Sequence, residues 1–274
     1  MSIPSLSAPV HAAGTVFDRL ASSYDQEFTD SLIGRAQRNA VWKVLLETFH
    51  AGDNLLELNC GTGEDALFLA RHNISLLSCD ASLAMIERAE QRLAAQAVPL
   101  PVAFCHLPTE RINQLAPAHR FDGVFSNFSG LNCIEDLTTV AASLSPLVKD
   151  GGRLLLCFST RICLTEIAYY LAKGQRKKAL RRLSGHALAT IEGTSLDVYY
   201  PSLREIVRSF APHFRLRSTS GIGVAVPPSY LEPWARKHPT IFRFLCRLES
   251  FLTRVPFLRS TGDHILLCFD KVSS

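Results

Sequence analysis

A chain of 274 residues with 47% apolar and 20% charged residues can bury a sizeable core, which excludes an intrinsically disordered protein. A net charge of +4 is too mild to argue for a nucleic-acid partner by itself. Met1 to Ala13 lacks a cationic stretch followed by an apolar one, so no export signal is expected, and no apolar run approaches the ~20 residues of a membrane-spanning helix.

Apart from its first dozen residues, the whole chain is expected to fold as a single domain over 1–274. Phe17 to Phe28 and Ser31 to Phe49 are patterned as helices, the second with Leu32, Val41, Leu45, Leu46 and Phe49 at apolar positions. Strand-length apolar runs follow at Asn54 to Asn59, Ser75 to Cys79, Pro101 to Cys105, Gly123 to Ser126 and Arg153 to Phe158. Helices are expected between them, near Glu64 to Arg71, Ser82 to Ala95 and Asp136 to Leu147, with Lys149 to Gly152 as the turn that stops the last. Such alternation marks a parallel sheet covered on both faces.

After the fifth strand the rhythm breaks. A basic helical stretch (Arg161 to Leu183) and a strand-like Thr194 to Tyr200 precede a helix at Ser202 to Phe210 and a strand at Phe214 to Ser220. A helix-rich block from Pro227 to Leu258 and a strand at Asp263 to Asp270 close the chain. The eight cysteines form no C-x-x-C pair, and several fall in strand-like runs. They are expected to be free thiols packed as small apolar residues, with no metal bound and a reducing, cytoplasmic location.

The strongest local signal is Leu55-Leu56-Glu57-Leu58-Asn59-Cys60-Gly61-Thr62-Gly63, an apolar strand ending in a glycine turn that opens a helix. Gly61 and Gly63 can take backbone angles closed to other residues and so let the main chain approach a ligand. Nineteen residues after Gly61 the second strand ends in Asp80, where an acidic side chain can accept hydrogen bonds from a ribose diol.

The glycine loop, the Asp80-Ala81-Ser82 stretch with Met85, and Phe121 to Asn127 together resemble the motifs of class I S-adenosylmethionine-dependent methyltransferases. An entry segment containing Phe17-Asp18-Arg19 and Tyr24-Asp25 is similar to that of quinone-biosynthesis and related small-molecule enzymes; beyond Phe158 the likeness is architectural. The resemblance implies an α/β, Rossmann-like, doubly wound and mostly parallel sheet with an antiparallel last strand. Residues 14–160 would form the cofactor-binding core, and insertions at 161–200 and 223–258 a helical cap over the substrate. It further implies that Glu57, Asn59, Gly61 and Gly63 line the methionine and ribose of S-adenosylmethionine, that Asp80 holds the ribose hydroxyls, and that Ala81 and Met85 pack near the adenine. Asn127 and Phe128 would sit beneath the sulfonium, Tyr24 would close the entrance, and Arg35 or Arg38 would pair with the cofactor carboxylate.

Relatives commonly carry an acidic residue after the third strand to read the adenine. This chain has His106-Leu107-Pro108 instead, leaving Leu107 to pack on the ring. Hydride chemistry on a dinucleotide is disfavoured because Glu57 and the Glu64-Asp65 pair suit a sulfonium and an ammonium but repel a pyrophosphate. Methyl transfer can proceed largely by alignment and desolvation, so no catalytic base is assigned, although His186, His213 and His264 lie in or near the variable region.

The acceptor is expected to be a small, apolar or lipid-like molecule. Tyr199 and Tyr200 are candidates for its aromatic wall; being adjacent in a strand, they point to opposite faces. The basic stretch Lys173 to Arg182 and the Arg-rich apolar stretch Thr240 to Arg259 allow peripheral contact with an anionic membrane. The alternatives are an RNA methyltransferase, disfavoured because Asn127-Phe128-Ser129-Gly130 is unlike the N-P-P-Y type and no RNA-binding module is appended, and a non-catalytic cofactor-binding protein.

Overall fold

The computed structural model describes residues 12–116, 120–191, 193–253 and 255–272, so most of the Met1 to Ala13 segment lies outside the described residues. In chain order, α1 (Ala12–Leu20), a π-helical turn (Asp25–Thr29) and α2 (Leu32–Thr48) lead into β1 (Asn54–Leu58), α3 (Glu64–Ala70) and β2 (Ser75–Asp80). Next come α4 (Leu83–Ala94), β3 (Val102–His106), β4 (Phe121–Ser126), α5 (Leu137–Leu144) and β5 (Val148–Ser159). The second half contains α6 (Leu164–Ala172), α7 (Arg176–Ala179), β6 (His186–Ile191), β7 (Thr194–Tyr199) and α8 (Leu203–Phe210). It ends with β8 (Phe214–Ile222), α9 (Glu232–Lys237), α10 (Pro239–Leu252) and β9 (His264–Lys271).

Seven strands form one sheet in the order β3-β2-β1-β4-β5-β9-β8. The first five strands pair in parallel, and β9 runs antiparallel to both of its neighbours, so the mostly parallel sheet with an antiparallel last strand is present. Side chains alternate between two apolar layers, as a period of two requires. From β5, Leu154, Leu156 and Phe158 join a core with α5 and α8, while Leu155 and Cys157 join the opposite core with Val41 and Leu45 of α2. β1, β4 and β9 likewise place buried residues in both cores, so the middle of the sheet is covered on both sides, whereas the edge strands β3 and β8 are partly exposed.

Local polar residues set the helix starts. The Ser31, Ser82 and Asp136 side chains accept backbone N–H groups in the first turns of α2, α4 and α5, and Ser202 with Glu205 makes a capping box on α8. Each such cap stabilises by about 1 kcal/mol.

Three expectations are corrected. The first helix begins at Ala12, and Phe17 to Phe28 is not continuous, because α1 stops at Leu20 and the chain resumes in the π-helical turn. Lys149 to Gly152 lies inside β5, where a register shift against β4 between Phe121 and Gly123 absorbs the irregular backbone. Arg161 to Leu183 is two short helices and a 3-10 turn, interrupted by the left-handed Gly174. Thr194 to Tyr199 is a strand, as expected; it pairs antiparallel with β6, which has no clear signal in the sequence, in a ribbon separate from the main sheet.

Candidate active site

β1, β2 and β4 end side by side, and the loops leaving them meet above the sheet. After β1 the backbone turns through left-handed conformations at Asn59 (φ 57°), Gly61 (φ 54°) and Gly63 (φ 78°). A Cβ on Gly63 would sit 2.8 Å from Phe104 Cζ and 2.9 Å from Ala89 Cβ, so glycine lets α3 pack closely on its neighbours. A Cβ on Gly61 would meet only Tyr24 Cε1, at 3.9 Å, and would otherwise project into open space.

Asp80 ties two of these loops together. Its Oδ2 accepts the Gly61 N–H and its Oδ1 the Ser82 N–H, each at 2.8 Å. Burial pushes its pKa up, against the lowering effect of those backbone donors. The carboxylate, which the Ala81 backbone N–H also stabilises, still has acceptor capacity for a ligand hydroxyl.

Beneath the loop lies a charged floor. Arg38 pairs with Asp65 at 2.7 Å with both side chains buried, and Asp65 also accepts Trp42 Nε1 at 2.6 Å and Asn127 Nδ2 at 2.9 Å. Glu57 is 1% exposed and accepts the Ser78 hydroxyl at 2.7 Å. Burial, reinforced by the Asp65 carboxylate, pushes Glu57 well above the usual carboxylate range despite Ser78 and Arg38.

The turn after β4 holds an aromatic partition. Phe128 (φ 45°) and Ser129 (φ 68°) are left-handed without being glycine, a conformation that costs about 1 kcal/mol or more per residue and persists where surroundings over-determine it. Here Asn127 Oδ1 accepts the Phe128 N–H at 2.9 Å, the Ser129 and Ser159 hydroxyls lie 2.6 Å apart, and a Cβ on Gly130 would come within 2.3 Å of Asn59 Cβ. The Phe128 ring is held against Phe28 (4.7 Å between centroids), His264 (5.6 Å) and the Arg38 guanidinium (4.9 Å).

Two cavities meet at this partition. The first, at the strand ends, is lined by Tyr24, Asn59, Gly61, Asp80, Ala81, Met85, Asn127 and Phe128 of the residues singled out from the sequence. The second, of ≈ 850 Å³, shares Phe17, Tyr24 and Phe128 with it and extends past Phe28 to Arg182, Asp263 and His264. Its far side comes from Pro228, Tyr230, Glu232 and Arg236. Aromatic rings and charged groups thus share the wall of this space, whose exposed lining is more apolar than polar.

Arg38, Glu57, Gly63 and Leu107 are not on the wall of the first cavity: Arg38 and Glu57 support it from below, Gly63 packs α3, and Leu107 belongs to the apolar core. Arg35 is exposed and pairs with Asp30 at 2.9 Å. Tyr199 lines a third cavity with Glu110, Ile134 and Leu196, whereas Tyr200 is buried beside the Arg182 guanidinium at 5.5 Å, so the adjacent tyrosines do face opposite ways. His106 is used structurally, its Nε2 lying 3.0 Å from the Ala81 carbonyl oxygen.

Ala13, Phe17, Glu110, Gly130, Cys133 and Ile134 complete the first cavity and were not singled out as site residues. Phe17 was already in the entry segment, and Gly130 follows Asn127 closely enough to have been a signal. The others reach the site only through the folding of loops, and Glu110 brings a carboxylate three residues beyond Leu107.

Residues 56–154 match the family described as "Methyltransferase domain". A demethylmenaquinone methyltransferase of Clavibacter sepedonicus is 30% identical over 149 residues, covering 53% of this chain and 57% of the relative. The chain thus spans under two thirds of the length of the first curated relatives it matches, between 57% and 64%. Among solved structures, an S-adenosylmethionine-dependent methyltransferase from Listeria monocytogenes superposes with a TM-score of 0.58 at 14% identity, over 85% of this chain and 96% of that one. The geranyl diphosphate C-methyltransferase of Streptomyces coelicolor gives 0.57 at 15% identity, over 86% and 79%. Both likenesses are of fold.

Proposed function

Because the chain carries a class I S-adenosylmethionine-dependent methyltransferase domain, related at low identity to demethylmenaquinone methyltransferases, we propose that it methylates a small acceptor bound in the ≈ 850 Å³ cavity. S-adenosylmethionine is the cofactor of such a domain, and the residues fit it. The open space over Gly61 receives a ligand against the backbone, Asp80 has lone pairs left for ribose hydroxyls, and Phe17, Met85 and Ile134 offer apolar surface to an adenine. When bound, it supplies an electrophilic methyl on sulfur.

The observation that carries the reading is the shared wall of Phe17, Tyr24 and Phe128 between the two cavities. Their rings exclude water from the line between donor and acceptor, and alignment of two bound reactants accounts for much of a displacement's acceleration. Glu110 takes the place of the acid missing after β3 and reads the adenine edge. Residues 161–200 and 223–258 act as the cap, contributing Arg182 and the Pro228 to Arg236 segment to the acceptor wall. The mixed lining favours an acceptor with an apolar body and one polar group over a pure hydrocarbon.

Two finer points belong to the same reading. No described helix is long and apolar enough to cross a membrane, yet α10 exposes Ile241, Phe244 and Phe251 beside Arg243 and Arg247, a face suited to peripheral contact with anionic lipid. An RNA acceptor or a binding role without turnover are the competing functions. Incubation of the purified protein and a cell extract with radiolabelled S-adenosylmethionine separates them. Label in the organic phase supports the proposal, label in RNA replaces it, and cofactor binding without label in any fraction leaves the binding role.

A further inference from the structure

We propose that His264 and Asp263 form a base site at the junction of the two cavities, where His264 Nε2 accepts the proton of a phenolic or enolic hydroxyl as that oxygen is methylated. The inference rests on the methyl-transfer reading above and adds the reacting group of the acceptor to it.

β9 begins at the carboxyl end of β5, because the last strand is antiparallel: His264 lies opposite Ser159 on one side and Ile222 on the other. Its ring meets the Phe128 ring edge-on at 5.6 Å between centroids, and Phe128 lines both cavities. His264 therefore stands where an acceptor atom must come to meet the donor.

The pair is built as an oriented base. Asp263 Oδ1 accepts Arg182 Nη2 at 2.9 Å and Oδ2 accepts Gln37 Nε2 at 3.1 Å, which fixes the carboxylate. His264 Nδ1 is buried without a hydrogen-bond partner and lies 3.5 Å from Asp263 Oδ2, so a small ring rotation makes Asp263 the acceptor of an Nδ1–H. That tautomer leaves the Nε2 lone pair for the cavity. Burial opposes ionisation of Asp263, but His264, Arg182 and Gln37 outweigh it and hold the carboxyl below its usual range. Burial lowers the His264 pKa, with Asp263 opposing and Arg182 assisting, so the ring is neutral near pH 7.

The other titratable groups around the cavity are committed or placed at its rim. Arg182 is shared by Glu166 and Asp263, and Glu232 accepts the Leu32 and Ile33 N–H groups while pairing with Arg236. Tyr24 is held protonated by burial, Tyr230 is exposed at the rim with its pKa raised by desolvation and the Glu166 carboxylate, and Glu27 is exposed. An imidazole of lowered basicity takes a proton from a phenol or enol far more readily than from an aliphatic alcohol. The rings of Phe17, Phe28 and Phe128 admit a planar body. In the step, the acceptor O–H proton passes to Nε2, the oxygen lone pair bonds to the methyl carbon, and the C–S bonding pair stays on sulfur. The products are the methyl ether, S-adenosylhomocysteine and an imidazolium that returns its proton to solvent.

The test has three readouts on the whole chain. Calorimetry with S-adenosylhomocysteine should give equal affinity for the wild type and His264→Gln; absence of binding by both overturns the methyl-transfer reading and this inference with it. Nitrogen-15 NMR, with the His264 signal assigned by loss in His264→Gln, should show a neutral ring protonated on Nδ1 at pH 7, shifting toward Nε2–H in Asp263→Asn. An imidazolium, an Nε2–H ring in the wild type, or an unchanged tautomer in Asp263→Asn overturns the pair alone. Radiolabelled methyl transfer to phenols of graded acidity should fall ~10²–10⁴-fold in His264→Gln, with the deficit shrinking as the phenol becomes more acidic. An equal deficit across the series, or no phenol methylated by a wild type that binds S-adenosylhomocysteine, overturns the base assignment.

Discussion

The Asp80 carboxylate accepts the backbone N–H of Gly61 at 2.8 Å, so the acid that ends β2 also fixes the glycine loop that leaves β1. The carboxylate orders the loop in the free protein, and under the proposed function it would also accept a hydroxyl of the bound ribose. Replacing it removes both.

Asp80→Ala is accordingly expected to weaken S-adenosylhomocysteine binding by at least the ~1.5–3 kcal/mol of a charge-assisted hydrogen bond, about ten- to a hundredfold or more. Asp80→Asn keeps an acceptor for one backbone N–H and should lose less. Calorimetry on both folded variants checks the order; an unchanged affinity in Asp80→Ala would remove Asp80 from the ribose.

Gly61 and Gly63 should separate binding from stability. Gly61→Ala meets open space, so the main folding cost is the left-handed backbone, on the order of 1–2 kcal/mol. Its methyl enters the cofactor cavity and should abolish binding. Gly63→Ala adds contacts under 3 Å with Phe104 and Ala89 to the same backbone cost, and should unfold at markedly lower urea concentration. Equal urea midpoints for the two variants would contradict this division.

Glu57 gives a pH-dependent prediction. Its folded pKa lies above the ordinary value of 4.5, so between the two the folded protein binds a proton that the unfolded chain has released. The corresponding stability is fully present below the unfolded value and is lost as pH rises through the folded one. Glu57→Gln keeps an oxygen that can accept the Ser78 hydroxyl and removes this titration. Its thermal midpoint relative to the wild type should therefore improve from pH 5 to pH 8, and a difference independent of pH would show that Glu57 folds ionised.

The sheet and the loops at its strand ends were legible because they depend on short-range patterns. Leu55 to Leu58 carries its strand pairing and burial in four consecutive residues, and Gly61 and Gly63 announce their backbone angles by lacking a side chain. Partnerships set by tertiary packing were not legible. Arg38 has a local helical signature but spends its charge on Asp65, 27 positions away. That Tyr199 and Tyr200 face opposite ways is legible from their adjacency, but not what each meets: Tyr199 lines a separate cavity and Tyr200 lies beside Arg182. The cavity wall around Asp263 and His264 was hidden for the same reason, since it forms only when β9 inserts between β5 and β8.

The exposed face of α10 leads to the last prediction. Phe244 is 62% exposed and Phe251 72%, with Ile241 at 50% on the same helix. Single exposed apolar residues are ordinary, but three on one helix, interleaved with Arg243 and Arg247, combine apolar area with charge complementary to anionic lipid. α9, which contributes Arg236 to the ≈ 850 Å³ cavity proposed to hold the acceptor, directly precedes α10, so lipid contact there would bring that cavity near a membrane-dissolved acceptor. The protein should co-sediment with phosphatidylglycerol vesicles, less so with neutral phosphatidylcholine and less at high salt, because the electrostatic part is screened within about 10 Å at 0.1 M. Phe244→Asp combined with Phe251→Asp should abolish sedimentation and leave S-adenosylhomocysteine affinity unchanged, the face lying outside the cofactor cavity. A wild type that stays in the supernatant with both vesicle types would end the membrane reading, and concentration-dependent dimerisation lost in the double variant would assign the face to a second copy of the chain.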